Sequence, residues 1–248
     1  MVEECPICRG TRWKIKRHNG REVVERCDCV QAQKKHHLLE QARIPKRYAE
    51  CSLQNFELDN SPDESKRQAK RAVEYFVRAY PAVETGLLLM GMPGTGKTHL
   101  AVAAIQALML DKGVPCRFYD FRDLLKTLQN SYAKETAITE FDVLRPVLRI
   151  EVLLLDELGA SKISSWTQDT LSHILNYRYN ERLRTIITSN WVDKEYDNQG
   201  EDTLENRIGY RLRSRLYEMC DTIRIETTCP DYRQFLHARN KKKIAQFL

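Results

Sequence analysis

Short apolar runs alternate along the chain with segments whose apolar residues recur at helical spacing. Five runs have the length and composition of buried strands, and they lie at residues 87–90, 117–119, 151–155, 185–189 and 222–225. Helical spacing predicts helices at residues 30–43, 64–80, 98–110, 121–133, 140–149, 166–182, 203–218 and 231–247. Alternation of this kind predicts an α/β fold with a parallel sheet covered by helices on both faces.

The first 30 residues lack this alternation and contain two cysteine pairs. The four cysteines are Cys5, Cys8, Cys27 and Cys29. Four thiolates can close a tetrahedral zinc site, and a ribbon with a turn at His18-Asn19-Gly20 would bring the pairs together. The second pair has one spacer residue, which is less usual, so a mixed site that uses His18 or His36 is an alternative. A module without metal is a further alternative.

Composition and charge narrow the class of protein. The 248 residues carry a net charge of +6, and residues 1–50 alone have 12 Lys and Arg against 7 Asp and Glu. Residues 205–248 are basic too, which suits contact with nucleic acid or an acidic protein, although a solvated surface explains it equally well. The chain has neither a membrane-length apolar stretch nor a signal region, which predicts no membrane contact and a cytoplasmic location. Its eight cysteines then favour metal ligands or buried thiols over disulfides.

A glycine-rich segment joins the strand predicted at 87–90 to the helix predicted at 98–110. It has the Walker A spacing and consists of Gly91, Met92, Pro93, Gly94, Thr95, Gly96, Lys97 and Thr98. Glycines let the backbone curl so that its N–H groups face phosphates, and the helix start adds partial positive charge. The pattern predicts an ATP site in which Lys97 binds the β- and γ-phosphates and Thr98 holds Mg²⁺.

Two further motifs complete the expected site. Residues 152–155 are apolar and lead into Asp156 and Glu157, a Walker B pattern. Asp156 is expected to hold Mg²⁺ through its water shell, and Glu157 to orient and deprotonate the attacking water. Asn190 ends the next strand and is expected to contact that water or the γ-phosphate. The structural alternatives are that the two acids only cap a helix and that the asparagine is only a turn residue.

The segment 204–216 is rich in arginine and is predicted to lie on one helix. ATPases with a phosphate loop often borrow an arginine from a neighbouring subunit, so self-association is expected. Spacing alone does not choose among Arg207, Arg211, Arg213 and Arg215, although Arg211 and Arg215 share a helical face.

The combined motifs resemble the bacterial DnaC/DnaI-type helicase loaders and the related IstB-like transposition ATPases. The likeness spans roughly residues 46–240 and includes the phosphate loop, the acids after residue 155, the Thr188-Ser189-Asn190 triplet and the arginine segment. The resemblance implies an AAA+ core with the strand order 5-1-4-3-2, after a small zinc module. The predicted divisions are therefore 1–30 for the zinc module, 31–63 for a helix and linker, and 64–248 for the ATPase domain.

The same resemblance implies roles for particular residues. Arg215 falls where the family has its arginine finger, and Arg233 matches the sensor-2 arginine that contacts the γ-phosphate. Residues 121–149 match the helical element that lines the path of single-stranded DNA, and the cysteine module would grip the replicative helicase hexamer. The chain departs from the family in having one terminal helix after residue 225 in place of a lid domain.

Three functions follow as hypotheses. The first is an ATP-dependent loader of the replicative DNA helicase. The second is an IstB-like ATPase partner of a transposase, which the cysteine module disfavours because IstB-like chains typically begin with a helical domain. The third is a nucleotide-gated adaptor with negligible hydrolysis, against which the intact Glu157 argues.

Overall fold

All five apolar runs become strands in the computed structural model, which describes residues 5–18, 21–58, 64–133, 137–160, 164–193, 203–226, 231–234 and 237. The strands are β1 (Trp13–His18), β2 (Arg21–Arg26), β3 (Gly86–Gly91), β4 (Cys116–Asp120), β5 (Val152–Asp156), β6 (Arg184–Ser189) and β7 (Cys220–Ile225). The helices are α1 (Asp28–Gln41), α2 (Glu64–Ala79), α3 (Lys97–Lys112), α4 (Phe121–Ser131), α5 (Glu140–Arg149), α6 (Ser165–Asn180), α7 (Leu204–Ile208) and α8 (Tyr210–Met219). A short 3-10 helix covers Lys46–Tyr48.

The described part of the chain forms two sheets. β1 and β2 make an antiparallel hairpin, as predicted, while its turn residues Asn19 and Gly20 lie outside the described residues. The other five strands form a parallel sheet in the order β4-β5-β6-β3-β7. Numbered within the sheet by chain order and read from the β7 edge, this is the expected order 5-1-4-3-2, which is confirmed.

Alternate strand residues supply two hydrophobic cores, one on each face of the sheet. Leu87 and Leu89 pack with α1, α2 and α3, whereas Leu88 and Met90 pack with α4, α5, α6 and α8. Side chains point to opposite faces at successive strand positions, so an unbroken apolar run fills both cores. The expectation of helices on both faces is confirmed.

The helix predicted over 203–218 is wrong, since two helices occupy the segment. Gly209 lies between α7 and α8 with φ +85° and ψ 149°, far from helical values. The break places Arg207 on a different helix from the three arginines that follow it. Most of the helix predicted at 231–247 lies outside the described residues, but residues 232–234 and 237 are helical.

The segment before α2 packs against the core. Leu38 and Ala42 at the end of α1, together with Cys51 and Phe56, belong to the core cluster that covers α3. The backbone N–H of Phe118 donates to the carbonyl oxygen of Ala42 at 2.8 Å, which ties the segment to the edge strand β4. Within the described residues, no helix is both long and apolar enough to cross a lipid bilayer.

Candidate nucleotide site and cysteine cluster

The glycine-rich segment forms the loop between β3 and α3. β3 is buried along its whole length and ends at Gly91, and α3 begins at Lys97. Gly96, the N-cap of α3, has φ +97°, and a Cβ at this position would come within 2.6 Å of the Phe56 ring. Glycine is therefore required by both the backbone conformation and the close approach of Phe56. The loop lies at the carboxyl edge of the sheet, where open α/β sheets bind ligands.

Lys97 is folded back into its own loop. Its Nζ donates to the carbonyl oxygen of Met92 at 2.7 Å, and the residue is 5% exposed. Burial lowers the pKa of Lys97 to about 8, against the opposing pull of the nearby Asp156 carboxylate. A phosphate that replaced the carbonyl as partner would raise the pKa of this ammonium group again.

Asp156 is the buried acid of the site. It ends β5, is 1% exposed, and its Oδ1 accepts hydrogen bonds from the hydroxyls of Thr98 at 2.9 Å and Thr188 at 2.5 Å. Burial raises the pKa of Asp156, while the two hydroxyls oppose the shift by favouring the carboxylate. The Thr98–Asp156 pairing brings together the two residues predicted to serve one cation. The sequence analysis named Thr188 only as part of a motif, without a role. In the structure its hydroxyl connects β6 to this acid.

Glu157 has a partner that the sequence did not predict. Its backbone is left-handed, with φ +58°, and its N–H donates to the Thr188 hydroxyl at 3.0 Å. Its carboxylate forms an ion pair with the Arg122 guanidinium, which follows the N-cap of α4. Arg122 lies 35 positions from Glu157 in a predicted helix, so no local pattern could have linked them.

These groups open into a cavity of about 470 Å³. Asn190 and Arg233 both line it, together with Glu157, Lys97 and Thr98. Phe56 forms one wall and meets the His99 ring edge-on at 5.4 Å between centroids. The cavity is also lined by residues that the sequence analysis did not assign to the site, namely Arg47, Tyr48, Cys51, Asn55, Glu57, Lys66, His99 and Tyr232. Its volume falls in the range of small-molecule sites.

The arginines of 204–216 lie apart from this cavity, since none of them is among its lining residues. Arg213 is 1% exposed and pairs with Asp193 through two hydrogen bonds of 2.7 and 2.6 Å. Arg207 lies over the Trp191 ring at 3.9 Å, and Arg215 over the Tyr179 ring at 4.3 Å. Arg211 is exposed. Arg213 is therefore committed inside its own chain, which removes it from the four candidates.

The four N-terminal cysteines converge as the spacing predicted. All four Sγ atoms lie within 4.8 Å of one another, with 3.8 Å between Cys5 and Cys27 and 3.5 Å between Cys8 and Cys29. Backbone N–H groups of Cys8 and Ile7 lower the pKa of the Cys5 thiol to about 7, whereas burial raises the pKa of the Cys29 thiol to about 12. These four residues could hold a metal ion. Side-chain placement at His18 lies outside the described residues.

Three other cysteines are buried free thiols, as expected, namely Cys51, Cys116 and Cys220. Burial raises the pKa of Cys51 to about 11 and that of Cys220 to about 12, so both stay protonated and unreactive at neutral pH. Cys229 lies outside the described residues. His36, the alternative metal ligand, instead pairs with Glu40 on α1 at 3.4 Å.

Comparison with models of protein families identifies the family of this chain. A model described as "IstB-like ATP binding protein" matches residues 17–236. The chain belongs to the IstB-like ATP-binding protein family. It is an ATPase of the AAA+ type, and the phosphate loop, the buried acid and the sheet order described above are the parts expected of that class.

Relatives of this family member include phage and replication proteins of bacteria. The chain is 28% identical over 228 residues to the phage-like element PBSX protein XkdC of Bacillus subtilis (strain 168), with 88% of this chain and 79% of the relative covered. It is 25% identical to the replicative helicase loader DnaI of the same organism, over 84% and 69% of the two chains. A crystal structure of the DnaC helicase loader superposes with a TM-score of 0.64 and 34% identity, covering 73% of this chain and 99% of that one.

Proposed function

We propose that this protein is an ATP-dependent loader of the replicative DNA helicase. The observation that carries the proposal is the likeness to the solved DnaC loader, which reaches 34% identity over nearly all of that chain. The cysteine cluster ahead of the ATPase core adds a separate structural unit through which a loader could hold its helicase. Such a protein works in the cytoplasm, where bacterial DNA is replicated.

In the proposed reaction, ATP occupies the cavity beside the phosphate loop. Lys97 exchanges its bond to Met92 for the β- and γ-phosphate oxygens, and the N–H groups of residues 91–98 surround the phosphates. Glu157 orients a water molecule whose oxygen attacks the γ-phosphorus. The Glu157 carboxylate takes up the proton that this water loses. The bond from the γ-phosphorus to the β-bridging oxygen breaks, and ADP leaves with that electron pair. Asn190 and Arg233 line the same cavity and are proposed to contact the γ-phosphate side.

The Thr98 hydroxyl and the Asp156 carboxylate fit a magnesium ion. Thr98 lines the cavity, and its hydroxyl lies 2.9 Å from a carboxylate oxygen of the buried Asp156; Mg²⁺ prefers such hard oxygen ligands. Thr98 would bind the ion directly and Asp156 through its water shell. When bound, Mg²⁺ neutralises phosphate charge. Thr188 keeps the Asp156 carboxylate turned toward Thr98 through its own hydrogen bond.

The cysteine cluster fits zinc. A tetrahedral ion with Zn–S bonds of about 2.3 Å places its sulfurs roughly 3.8 Å apart. The measured separations of 3.8 Å for Cys5–Cys27 and 3.5 Å for Cys8–Cys29 agree with that geometry. We therefore assign Cys5, Cys8, Cys27 and Cys29 as the zinc ligands, with a structural role.

Self-association would complete the site. Arg215 is partly exposed on α8 and contacts the Tyr179 ring of its own chain, away from the cavity lining. Its ion pair with Glu218, at 3.8 Å, is also at the surface, so the guanidinium could exchange that partner for the γ-phosphate of a neighbouring copy, where it would stabilise charge in the transition state. The proposed arginine finger is thus Arg215 of an adjacent subunit, assembled on ATP and single-stranded DNA. Single-stranded DNA is proposed to pass along α4 and α5.

Copurification tests the loader proposal. The hairpin exposes Trp13 at 51% and Ile15 at 69%, so Trp13→Ala with Ile15→Ala removes apolar contact area without touching the core. The full-length chain is expected to recover the hexameric replicative helicase, and this double variant to recover much less. Tyr75→Ala, equally exposed on α2, is the control and should bind as the wild type does. Recovery of a transposase without helicase would favour the IstB-like alternative. The support for that alternative is the match to the IstB-like family.

A further inference from the structure

One wall of the nucleotide cavity comes from the segment that precedes α2. Four residues of that segment line the cavity, namely Cys51, Asn55, Phe56 and Glu57. The Phe56 ring lies directly against the phosphate loop, where a Cβ at Gly96 would come within 2.6 Å of it. The phosphates of a nucleotide are assigned to residues 91–98, and an aromatic side chain is a surface against which a base can pack. This wall is therefore left for the base.

Residues 50–55 form a turn that the Asn55 side chain closes. The Asn55 Oδ1 accepts from the backbone N–H of Ser52 at 2.8 Å, and its Nδ2 donates to the carbonyl oxygen of Glu50 at 2.6 Å. The backbone N–H of Asn55 donates to the Ser52 hydroxyl at 3.1 Å. A backbone donor on one side of the amide and a backbone acceptor on the other allow it one orientation. The turn thus fixes the direction from which the chain enters Phe56.

His99 connects this turn to α3. It follows Thr98 in the first turn of the helix, and its Nε2 lies 3.0 Å from both the carbonyl oxygen of Ser52 and the Oδ1 of Asn55. Both of these oxygens are acceptors, so the Nε2 nitrogen carries the hydrogen and donates to the pair. The same ring meets Phe56 edge-on. One side chain therefore joins the helix that begins at the phosphate loop to the wall of the cavity.

We propose that His99 is a positioning residue for the base of the bound nucleotide. Through the turn at 50–55 it holds the Phe56 ring in register with the phosphate loop, so that one ligand can contact both at once. A wall that is already ordered avoids the free-energy cost of ordering it when the nucleotide binds. The inference rests on ATP occupying this cavity, as in the proposed function. It has a specific consequence, since a loosened turn weakens contact with the base and leaves the phosphate contacts in place.

Steady-state turnover of the full-length protein measures the two ends of the site separately. His99→Ala is expected to raise the KM for ATP about tenfold, from the loss of the hydrogen bonds that hold the turn, and to change kcat less than about twofold. Inorganic tripolyphosphate has the phosphates without a base, and its inhibition constant should also change less than about twofold. Calorimetry with a non-hydrolysable ATP analogue should show the same tenfold loss of affinity. A general loss of structure would weaken the nucleotide and tripolyphosphate alike.

Two further variants test whether the hydrogen bonds are responsible. His99→Gln keeps an N–H donor of similar reach and should return the KM to within about threefold of the wild type. Asn55→Ala, at an exposed position, should raise the KM for ATP as His99→Ala does. The double variant should be no worse than about twofold beyond either one, because both residues act on one turn. His173→Ala, exposed on α6, is the matched control and should behave as the wild type.

The outcomes separate this role from the proposed function. An unchanged KM in both His99→Ala and Asn55→Ala, an equal loss for ATP and tripolyphosphate, or no recovery in His99→Gln would overturn the role of His99. Turnover of ATP by the wild type would still support the ATPase in each of these cases. A wild-type protein that neither bound nor hydrolysed ATP would overturn both.

Discussion

In the five-stranded sheet every residue of β5 is buried, whereas in the N-terminal hairpin no residue of β2 is buried. The sheet has apolar cores on both faces, so its strands are stabilised by packing. The hairpin has exposed apolar residues on a small ribbon, and so few buried groups cannot stabilise a fold by themselves. Its four convergent cysteines could instead hold a metal ion. One chain thus combines a region that folds by burial with one that is expected to fold by metal ligation.

Metal removal should separate these regions most sharply. A strong zinc chelator is expected to abolish amide-exchange protection in β1 and β2 completely and to leave that of β3 and β5 unchanged, because only the hairpin depends on the thiolates. Hydrogen exchange measured by mass spectrometry on the full chain reports both regions at once. Native mass spectrometry should find one zinc per chain before chelation. A protected hairpin in zinc-free protein would overturn the assignment.

Substitution of the lysine in the phosphate loop should impair ATP turnover without lowering the stability of the core. Lys97→Ala is expected to reduce ATP turnover at least about a hundredfold, since the cation that faces the phosphates is lost. The melting temperature of the core should not fall, because the variant removes a buried charge rather than a packed side chain. Lys35→Ala on exposed α1 is the control, and equal turnover in the two variants would remove Lys97 from the site.

The pH dependence of ATP binding follows from the same lysine. In the free protein the pKa of Lys97 is about 8, and phosphate oxygens raise it on binding. ATP affinity is therefore expected to fall about fivefold as the pH rises from 8 to 9 and about tenfold for the next pH unit, with proton uptake on binding. The free protein should show the reverse trend in stability, which rises with pH from about 8 toward the ordinary lysine value, because the unfolded chain binds the extra proton. Calorimetry in two buffers measures the uptake, and Lys97→Arg should abolish it.

The smallest effect is expected at Arg122. In this structure its guanidinium holds the Glu157 carboxylate, which leaves that acid less free to orient water. Arg122→Gln should raise basal ATP turnover by about three- to fivefold, a size in keeping with a partly exposed ion pair. Arg145→Gln on α5 is the control, as its guanidinium faces the Phe141 ring. Lower turnover in Arg122→Gln would instead mean that the arginine contributes directly to catalysis.

Local patterns along the chain were enough for the parallel sheet and the members of the phosphate loop, while the strand order followed from the family resemblance. Apolar runs such as 152–155 must be buried on both faces wherever they lie, and the glycines and Lys97 form one continuous loop. The same holds for the two cysteine pairs, since a hairpin brings its ends together. These features depend on neighbours in sequence, so a reader of the sequence can infer them. The helix over 203–218 failed because a single glycine with positive φ outweighed the apolar spacing.

Contacts between distant segments were decided only by folding. The Arg122–Glu157 ion pair, the Thr188–Asp156 bond and the burial of Arg213 against Asp193 each join residues on different elements. Nothing in the local sequence distinguishes Arg213 from Arg215, yet one is buried and the other reaches the surface. The physical reason is that hydrophobic patterning sets which face of an element is buried, while side-chain partners depend on how the elements pack in three dimensions.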